Sequence, residues 1–172
     1  MDGERFALVT GAGSGVGKAS ALALARTGWH VALAGRRPEA LDETAGEVKA
    51  LGRRALAAPT DVGDPEAVKA LFAQVEREFG RLDLLFNNAG QNAPPVPIDE
   101  LTFAQWSAVV GVNLNGMFLC AQGAFGLMKR QQPQGDDPLS GFHEGCHWLR
   151  EKRAATLYGA CAERHRARTN RK

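Results

Sequence analysis

The chain has 172 residues, of which 44% are hydrophobic and 23% are charged, and its formal net charge is +2. This length fits one domain of about 100–200 residues, and the small net charge gives no reason to expect nucleic acid or an anionic membrane as a partner. The sequence has no run of about 18 apolar residues, so we expect no transmembrane helix. The first predicted strand begins so early that we expect no signal peptide. The three cysteines favour a cytoplasmic setting over a disulfide framework.

Short apolar runs alternate with helical stretches along the first half of the chain. The runs at 6–11, 30–35, 55–62 and 82–90 predict four strands, and the stretches at 15–26, 38–51 and 64–80 predict three helices. The third helix has the clearest end signals, with Asp64 as N-cap, Pro65 at the first helical position and Gly80 beyond the end. This order predicts an α/β fold with a doubly wound parallel sheet.

The regular pattern stops soon after the fourth predicted strand. A proline-rich loop at 91–100 leads into a long helical stretch at 103–130, and the residues beyond 131 show no further strand run. We therefore expect one domain at 1–135 and an irregular tail at 136–172. The sheet is expected to be cut short after the fourth strand and the long helix.

A glycine-rich loop, "VTGAGSGVGKAS", joins the first strand to the first helix. Glycines let the backbone approach a diphosphate closely, and a helix N-terminus offers free N–H groups to it. The dinucleotide fingerprint G-x-G-x-x-G fails, because Val16 or Lys18 stands where the last glycine should be. The phosphate loop G-x-x-x-x-G-K-[ST] fails at Ala12 and Ala19.

The spacing that fits the loop is Thr-Gly-x-x-x-Gly-x-Gly, which Thr10, Gly11, Gly15 and Gly17 satisfy. Three more motifs follow in order: "TDV" at 60–62, "NNAG" at 87–90 and "VNLNG" at 112–116. Together these motifs resemble the short-chain dehydrogenase/reductase family over residues 5–135. The resemblance covers the Rossmann-like, NAD(P)-binding half of such an enzyme, and the tail does not match the family pattern.

The resemblance implies a set of cofactor contacts. The residues implied around the pyrophosphate are Gly11, Ser14, Gly15, Val16 and Gly17, those at the adenine are Asp61 and Val62, and those toward the adenine ribose and nicotinamide are Asn88, Ala89 and Gly90. For Asp61 a second interpretation is open, in which its carboxylate caps the following helix in competition with Asp64.

The residues after the second strand bear on the choice between NAD(H) and NADP(H). An acidic residue there would accept hydrogen bonds from the ribose 2′-hydroxyl and repel a 2′-phosphate. This chain has Gly35 at that position, followed by Arg36 and Arg37, and guanidinium groups pair well with phosphate. The pattern favours NADP(H), although two solvated arginines in an enzyme that accepts both cofactors would look the same.

The proton chemistry of the family is only partly represented. The resemblance implies that Asn113 supports a relay water, and that an alcohol or carbonyl compound is the substrate. The tyrosine and lysine of a Tyr-x-x-x-Lys motif are not found, because Tyr158 is followed four positions later by Ala162. We therefore expect cofactor binding without turnover. The alternative is a non-catalytic or regulatory protein that pairs with full-length relatives through the helix at 103–130.

Two further expectations concern surfaces. The fourth strand would present an apolar sheet edge, and the long helix would present Leu114, Phe118, Leu119 and Phe125 as an apolar patch. Both features predict a marginally stable, aggregation-prone chain and a homo-oligomer formed through that helix.

The tail offers two weaker hypotheses. His143, Cys146, His147, Cys161 and His165 include spacings that suit zinc, and the basic end at 163–172 suits RNA or a membrane surface. Scattered ligands and solvated charges explain both patterns equally well. We therefore expect no metal site and no nucleic-acid or membrane partner.

Overall fold

A computed structural model of the chain describes residues 4–131. Its strands are β1 (Phe6–Thr10), β2 (His30–Gly35), β3 (Ala55–Pro59) and β4 (Leu84–Phe86). Its helices are α1 (Gly15–Arg26), α2 (Pro38–Ala50), α3 (Pro65–Phe79), α4 (Phe103–Val110) and α5 (Met117–Met128), and the π-helical segment Gly111–Gly116 joins the last two.

The four strands form one sheet in the order β3-β2-β1-β4, and every neighbouring pair is parallel. This arrangement confirms the predicted doubly wound α/β fold. The register pairs Thr10 with Ala34 and Gly35 with Pro59, so the carboxyl ends of the strands lie along one edge. Because loops at this edge surround the ligand in open α/β sheets, the topology locates the candidate site.

The best-packed part of the molecule is the layer between the central strands and helices α1 and α2. Every residue of β1 is buried, as are the first five residues of β2. The apolar residues of this layer are Ala7, Val9, Ala12, Ala21, Ala25, Trp29, Val31, Leu33, Leu41, Ala45 and Val48. Consecutive apolar residues in β1 and β2 reflect burial on both faces of the sheet, as expected for parallel strands.

Helices α3 and α5 pack against each other. Asp64 caps α3 by accepting from the Glu66 N–H at 2.9 Å, and Gly80 ends the helix in the left-handed region, as predicted. The backbone of Gly123 in α5 lies so close to α3 that an added Cβ would come within 2.3 Å of the Phe72 ring. The glycine is therefore required at this helix crossing.

The structure differs from the prediction in the region after β3. The predicted third and fourth strands end early, at Pro59 and Phe86, because the polar residues that follow each strand turn away into the loops of the candidate site. The helix predicted at 103–130 is interrupted by the π-helical segment, where an added Cβ on Gly116 would come within 2.8 Å of the Val62 carbonyl oxygen. This close approach brings the segment against the loop after β3.

The combined helical stretch Phe103–Met128 spans 26 residues and is long and apolar enough, by length and composition alone, to cross a membrane. The sequence analysis did not anticipate this property. A single helix of this kind is weak evidence, because core helices of proteins outside membranes pass the same test. In the fold, the stretch packs on α3 through α5.

Candidate functional site

A cleft of about 300 Å³ opens at the carboxyl edge of the sheet. Loops that follow all four strands contribute to it, and the described residues that line it are Gly11, Gly13, Ser14, Gly35, Arg36, Arg37, Leu41, Thr60, Asp61, Val62, Asn88, Ala89, Gly90 and Val112. This volume lies at the lower end of the range that holds drug-sized ligands, about 300–1,000 Å³. The cleft is the candidate functional site.

The glycine loop forms one wall of this cleft. Gly11 and Gly15 have φ angles of 67° and 55°, in the left-handed region that favours glycine. An added Cβ on Gly17 would lie 2.2 Å from the Gly11 carbonyl oxygen, so only glycine lets α1 begin against the loop. No acidic side chain lies in the first turn of α1, and Ser14 makes no side-chain capping bond there. The helix start therefore keeps the positive potential that attracts anions.

A brace between β1 and β4 supports the loop from beneath. The Thr10 hydroxyl accepts hydrogen bonds from the N–H groups of Asn88 and Ala89, at 2.9 and 3.0 Å, and the Asn88 side-chain amide donates to the Thr10 carbonyl at 2.9 Å. Thr10 is buried and does not line the cleft. Its position indicates a structural contribution, while Asn88, Ala89 and Gly90 reach the cleft.

The two arginines after β2 both line the cleft. Arg37 donates from Nη2 to the Ser14 hydroxyl at 3.0 Å, which connects the loop after β2 with the glycine loop. Gly35 lines the cleft beside them and contributes no side chain. The loop after β2 therefore offers two positive charges to the cleft and no carboxylate.

Asp61 supplies a carboxylate from the loop after β3. Its Oδ1 accepts from the Gly63 N–H at 2.9 Å, while Asp64 alone caps α3. The interpretation of Asp61 as a helix cap is therefore wrong. Val62, the next residue, is buried against the π-helical segment and forms an apolar part of the cleft wall.

Asn113 lies in the π-helical segment, a type of irregularity that often occurs at functional sites. Its Oδ1 accepts from the Gln91 N–H at 2.8 Å, and its Nδ2 donates to the Gln91 carbonyl at 2.9 Å. The side chain thus fixes the loop that follows β4. Asn113 is not one of the described residues that line the cleft, whereas its neighbour Val112 is.

Several predicted residues lie beside the cleft rather than in its lining. Gly15, Val16 and Gly17 are at the start of α1, and the Val16 side chain is 67% exposed. Conversely, Gly13, Leu41, Thr60 and Val112 line the cleft although the sequence analysis did not select them. Gly13, Thr60 and Val112 belong to sequence motifs named above although they were not selected as contacts, and no sequence signal marked Leu41.

Lys18 has no role in the cleft. Its Nζ lies 2.7 Å from Glu43 and 2.8 Å from Glu47 on α2. The hydrogen bond to Glu43, followed by that to Glu47, raises the pKa of Lys18, and the same Lys18 bond lowers the pKa of Glu43. A phosphate-loop lysine would point to the ligand, so this geometry agrees with the rejection of that motif.

The tail candidates Tyr158, His143, Cys146, His147, Cys161 and His165 lie outside the described residues. Within residues 4–131, no group of three His, Cys, Asp or Glu side chains is close enough to hold a metal ion. Cys120, in α5, is buried with its thiol free.

Comparisons with known proteins place this cleft in context. The model of the short chain dehydrogenase family matches residues 5–136. The chain is 43% identical to a cis-4-hydroxycyclohexanecarboxylate dehydrogenase of Sinomonas cyclohexanicum, over 70% of this chain and 48% of that protein. The chain spans about half the length of the curated relatives it matches.

Solved structures agree with this match. A xylitol dehydrogenase with bound NAD⁺ superimposes with a TM-score of 0.70 and 35% identity, over 72% of this chain and 48% of that one. An alcohol dehydrogenase of the archaeon Thermococcus sibiricus, in complex with 5-hydroxy-NADP, gives a TM-score of 0.71 and 30% identity, over 74% and 55%. Both solved relatives are dehydrogenases with a nicotinamide cofactor or a derivative of one.

Proposed function

The chain belongs to the short-chain dehydrogenase/reductase family of oxidoreductases, and from this premise we propose that its cleft binds NADP(H) without catalysing turnover. The observation that carries the proposal is the contact between Gly17 and the Gly11 carbonyl, where a methyl group would lie 2.2 Å from the oxygen. This contact fixes the N-terminus of α1 beside the cleft. A diphosphate is the ligand that such a helix start favours.

In this proposal, the pyrophosphate lies against the loop that contains Gly11 and Ser14 and the start of α1, from Gly15 through Val16 to Gly17. The support is the positive potential of a helix start without acidic residues in its first turn. The brace from Thr10 to Asn88 keeps the loop in this shape.

The adenosine part is proposed to lie between the loops after β2 and β3. The Asp61 carboxylate would accept from the adenine amino group, while Val62 supplies an apolar wall. Asn88, Ala89 and Gly90 would lie along the riboses, toward the nicotinamide side. Support comes from the placement of all five residues in the lining of one cleft.

The preference for a 2′-phosphate is proposed from Arg36 and Arg37. Members of the family bind NAD or NADP, so family membership leaves this choice open. Two guanidinium groups line the cleft, and Gly35 provides no carboxylate that would repel a phosphate. Because Arg37 already bonds to Ser14, it is held at the cleft before any ligand arrives.

The reaction of the family is hydride transfer between a nicotinamide cofactor and an alcohol or carbonyl substrate. Asn113 is proposed to serve that chemistry only indirectly, through its two bonds to Gln91. Tyr158 is the sole tyrosine of the chain, and no lysine follows it at the fourth position. General acid–base catalysis contributes about 10²–10⁴-fold in rate. Without it we expect binding and no measurable turnover.

Titration with NADPH tests the proposal, with Gly17→Ala as the variant and Gly46→Ala as the control. An added Cβ on Gly46, in α2, meets no atom within 4 Å, whereas the same change at Gly17 meets the Gly11 carbonyl. We expect Gly46→Ala to bind like the parent chain and Gly17→Ala to lose binding. Circular dichroism establishes whether Gly17→Ala is folded. Arg37→Gln, which keeps every glycine of the loop but removes the bond from Arg37 to Ser14, gives a second variant that should bind more weakly.

Failure of the parent chain to bind NADPH would refute the proposed function. Oxidation of NADPH by the same sample in the presence of a ketone would refute the claim that turnover is absent. The two results are independent, because the first concerns the glycine loop and the second concerns the proton donor.

We also propose self-association through the helical stretch at 103–128, in a cytoplasmic protein. Phe103, Trp106, Leu114 and Phe118 are between 54% and 82% exposed, although they are large and apolar. Sedimentation velocity should show that Phe118→Ser dissociates the oligomer. Ile98→Ser, which removes an even more exposed apolar side chain outside these helices, should not. A monomeric parent chain would refute this part.

A further inference from the structure

The π-helical segment Gly111–Gly116 lies against the loop that follows β3. Its last residue, Gly116, is buried, and an added Cβ there would lie 2.8 Å from the Val62 carbonyl oxygen and 2.9 Å from Val62 Cγ2. The φ and ψ angles of Gly116, −60° and −42°, are ordinary helical values that residues with a side chain also adopt. The closeness of Val62 is therefore what restricts this position to glycine.

A second contact joins the same segment to the same loop. An added Cβ on Gly63 would lie 3.6 Å from Val112 Cγ2, and Asp61 Oδ1 accepts from the Gly63 N–H at 2.9 Å. Asp61, Val62 and Val112 belong to the described lining of the cleft. Gly116 is not one of those residues, so it touches the cleft wall from outside the lining.

Backbone hydrogen bonds fix both ends of this loop. The Thr60 N–H donates to the Gly35 carbonyl at 2.7 Å, which ties the end of β3 to β2. The Asp64 N–H donates to the Asp61 carbonyl at 3.1 Å, where α3 begins. Val62 lies between these bonds, so the helical segment that it touches determines where the middle of the loop lies.

The π-helical turn explains why a glycine faces Val62. A π turn has hydrogen bonds between residues i and i+5 and contains one more residue than an α turn. The residues after it are therefore rotated by roughly 100° relative to a continuous α-helix. A continuous α-helix would turn Gly116 away and direct a neighbour with a Cβ, Asn115 or Met117, at the Val62 carbonyl.

We propose that Gly116 is a positioning residue for the cofactor, which acts through Val62 and Asp61 without touching the ligand. This inference rests on the proposed function, in which those two residues contact the adenine. A side chain at position 116 would displace Val62 and, with it, the neighbouring Asp61 carboxylate. The π-helical turn is thus part of the machinery that holds the loop after β3 in its binding position.

Three glycines of the same helical stretch provide the test and its controls. Gly116→Ala adds a methyl group against Val62, Gly123→Ala adds one against the Phe72 ring on α3, and Gly111→Ala meets no atom within 4 Å. Calorimetric titration of the full chain with NADPH measures affinity, and urea denaturation measures stability. Gly116→Ala should raise the dissociation constant about tenfold, as expected for the loss of one hydrogen bond to a charged group.

The controls separate positioning from general damage to the fold. Gly123→Ala should lower the urea midpoint and leave the NADPH dissociation constant unchanged, because its clash lies between α3 and α5. Gly111→Ala should change neither quantity. The inference is overturned if Gly116→Ala binds NADPH as tightly as Gly111→Ala does, or if Gly123→Ala loses as much affinity as Gly116→Ala.

A double-mutant cycle tests whether Gly116 acts through the loop. Asp61→Asn removes the negative charge that is proposed to accept from the adenine amino group. If Gly116→Ala already displaces that carboxylate, Asp61→Asn should weaken NADPH binding in the parent chain and add little in the Gly116→Ala background. Fully additive losses in affinity would overturn the inference.

Hydrogen exchange of the parent chain keeps the test open if Gly116→Ala does not fold. NADPH should slow exchange of the Val62 amide and of the Gly116 amide by similar factors, with a smaller effect at Gly126 in α5. Slowing at Val62 without slowing at Gly116 would overturn the inference and leave the proposed function intact. Absence of NADPH binding by the parent chain would overturn the proposed function, and the inference with it.

Discussion

The sheet and its helices divide into two regions that are held together differently. In the first, β1, β2, α1 and α2 enclose a continuous apolar layer, and every residue of β1 is buried. In the second, β4 lies at the sheet edge with its three residues half-buried, and α4 has no buried residue at all. The first region builds the candidate cleft from hydrophobic burial, whereas in the second α5 has buried residues but β4 and α4 have none, and the edge strand needs a further kind of attachment.

That attachment consists of side-chain amides bonded to backbone groups. Gln131 accepts from the Leu82 N–H at 2.9 Å and donates to the Leu82 carbonyl at 2.8 Å, just before β4. Asn113 makes the same pair of bonds to Gln91 just after β4. Asn87 donates to the Met117 carbonyl between them. The helical stretch is therefore fastened to both flanks of the edge strand by polar contacts.

The largest expected difference between the regions is in the cost of losing an apolar side chain. Leu33 in β2 is fully buried, and Leu114 in the π-helical segment is 57% exposed. We expect Leu33→Ala to lower the free energy of unfolding by about 2–5 kcal/mol. Leu114→Ala should change it by less than about 0.5 kcal/mol. Urea denaturation of both variants measures this, and similar losses would show that the second region is also held by burial.

The reactivity of the buried Cys120 thiol tests whether α5 is packed in the second region. Burial raises the pKa of its thiol from 9.0 to about 11, so the thiolate that reacts with alkylating agents is scarce at pH 8. In a Cys146→Ser, Cys161→Ser background, we expect native Cys120 to react at least about a hundredfold more slowly than the unfolded chain. Because the unfolded thiol ionises first, stability should fall as pH rises past about 9. Fast labelling of the native chain would show that α5 is not docked.

A smaller effect is expected from the pair of hydrogen bonds between the Gln131 side chain and the Leu82 backbone, which we call the Gln131 clamp. Gln131→Ala leaves the N–H and carbonyl of Leu82 without these partners, and an unmet backbone group costs about 1–3 kcal/mol. Gln122→Ala is the control, since Gln122 is an exposed glutamine on α5, the helix that precedes Gln131. Urea denaturation should separate the two variants, and labelling of Cys120 should accelerate only in Gln131→Ala. Equal stabilities would mean that water replaces the clamp.

The two regions also differ in how far the sequence predicts them. The ends of α1, the cap at Asp64 and the parallel sheet follow from local signals and apolar runs, and the structure confirms them. The π-helical segment and the Gln131 clamp were not predicted, because each depends on a contact with a residue distant in the chain. In the candidate site, the sequence motifs predicted the loops after β1, β3 and β4, and the two arginines predicted the loop after β2. The buried position of Thr10 and the direction of Lys18 depend on packing.

The smallest expected effect belongs to the second clamp, at Asn113. Its bonds to Gln91 are exposed to solvent, so Asn113→Ala should lower the free energy of unfolding by only about 0.5–1.5 kcal/mol. Asn115→Ala in the same π-helical segment changes an exposed residue and should have no effect. Hydrogen exchange of the Gln91 amide should accelerate in Asn113→Ala alone. Because Asn113 does not line the cleft, binding of NADPH should be unchanged, and weakened binding would show that the loop after β4 contributes to the cofactor site.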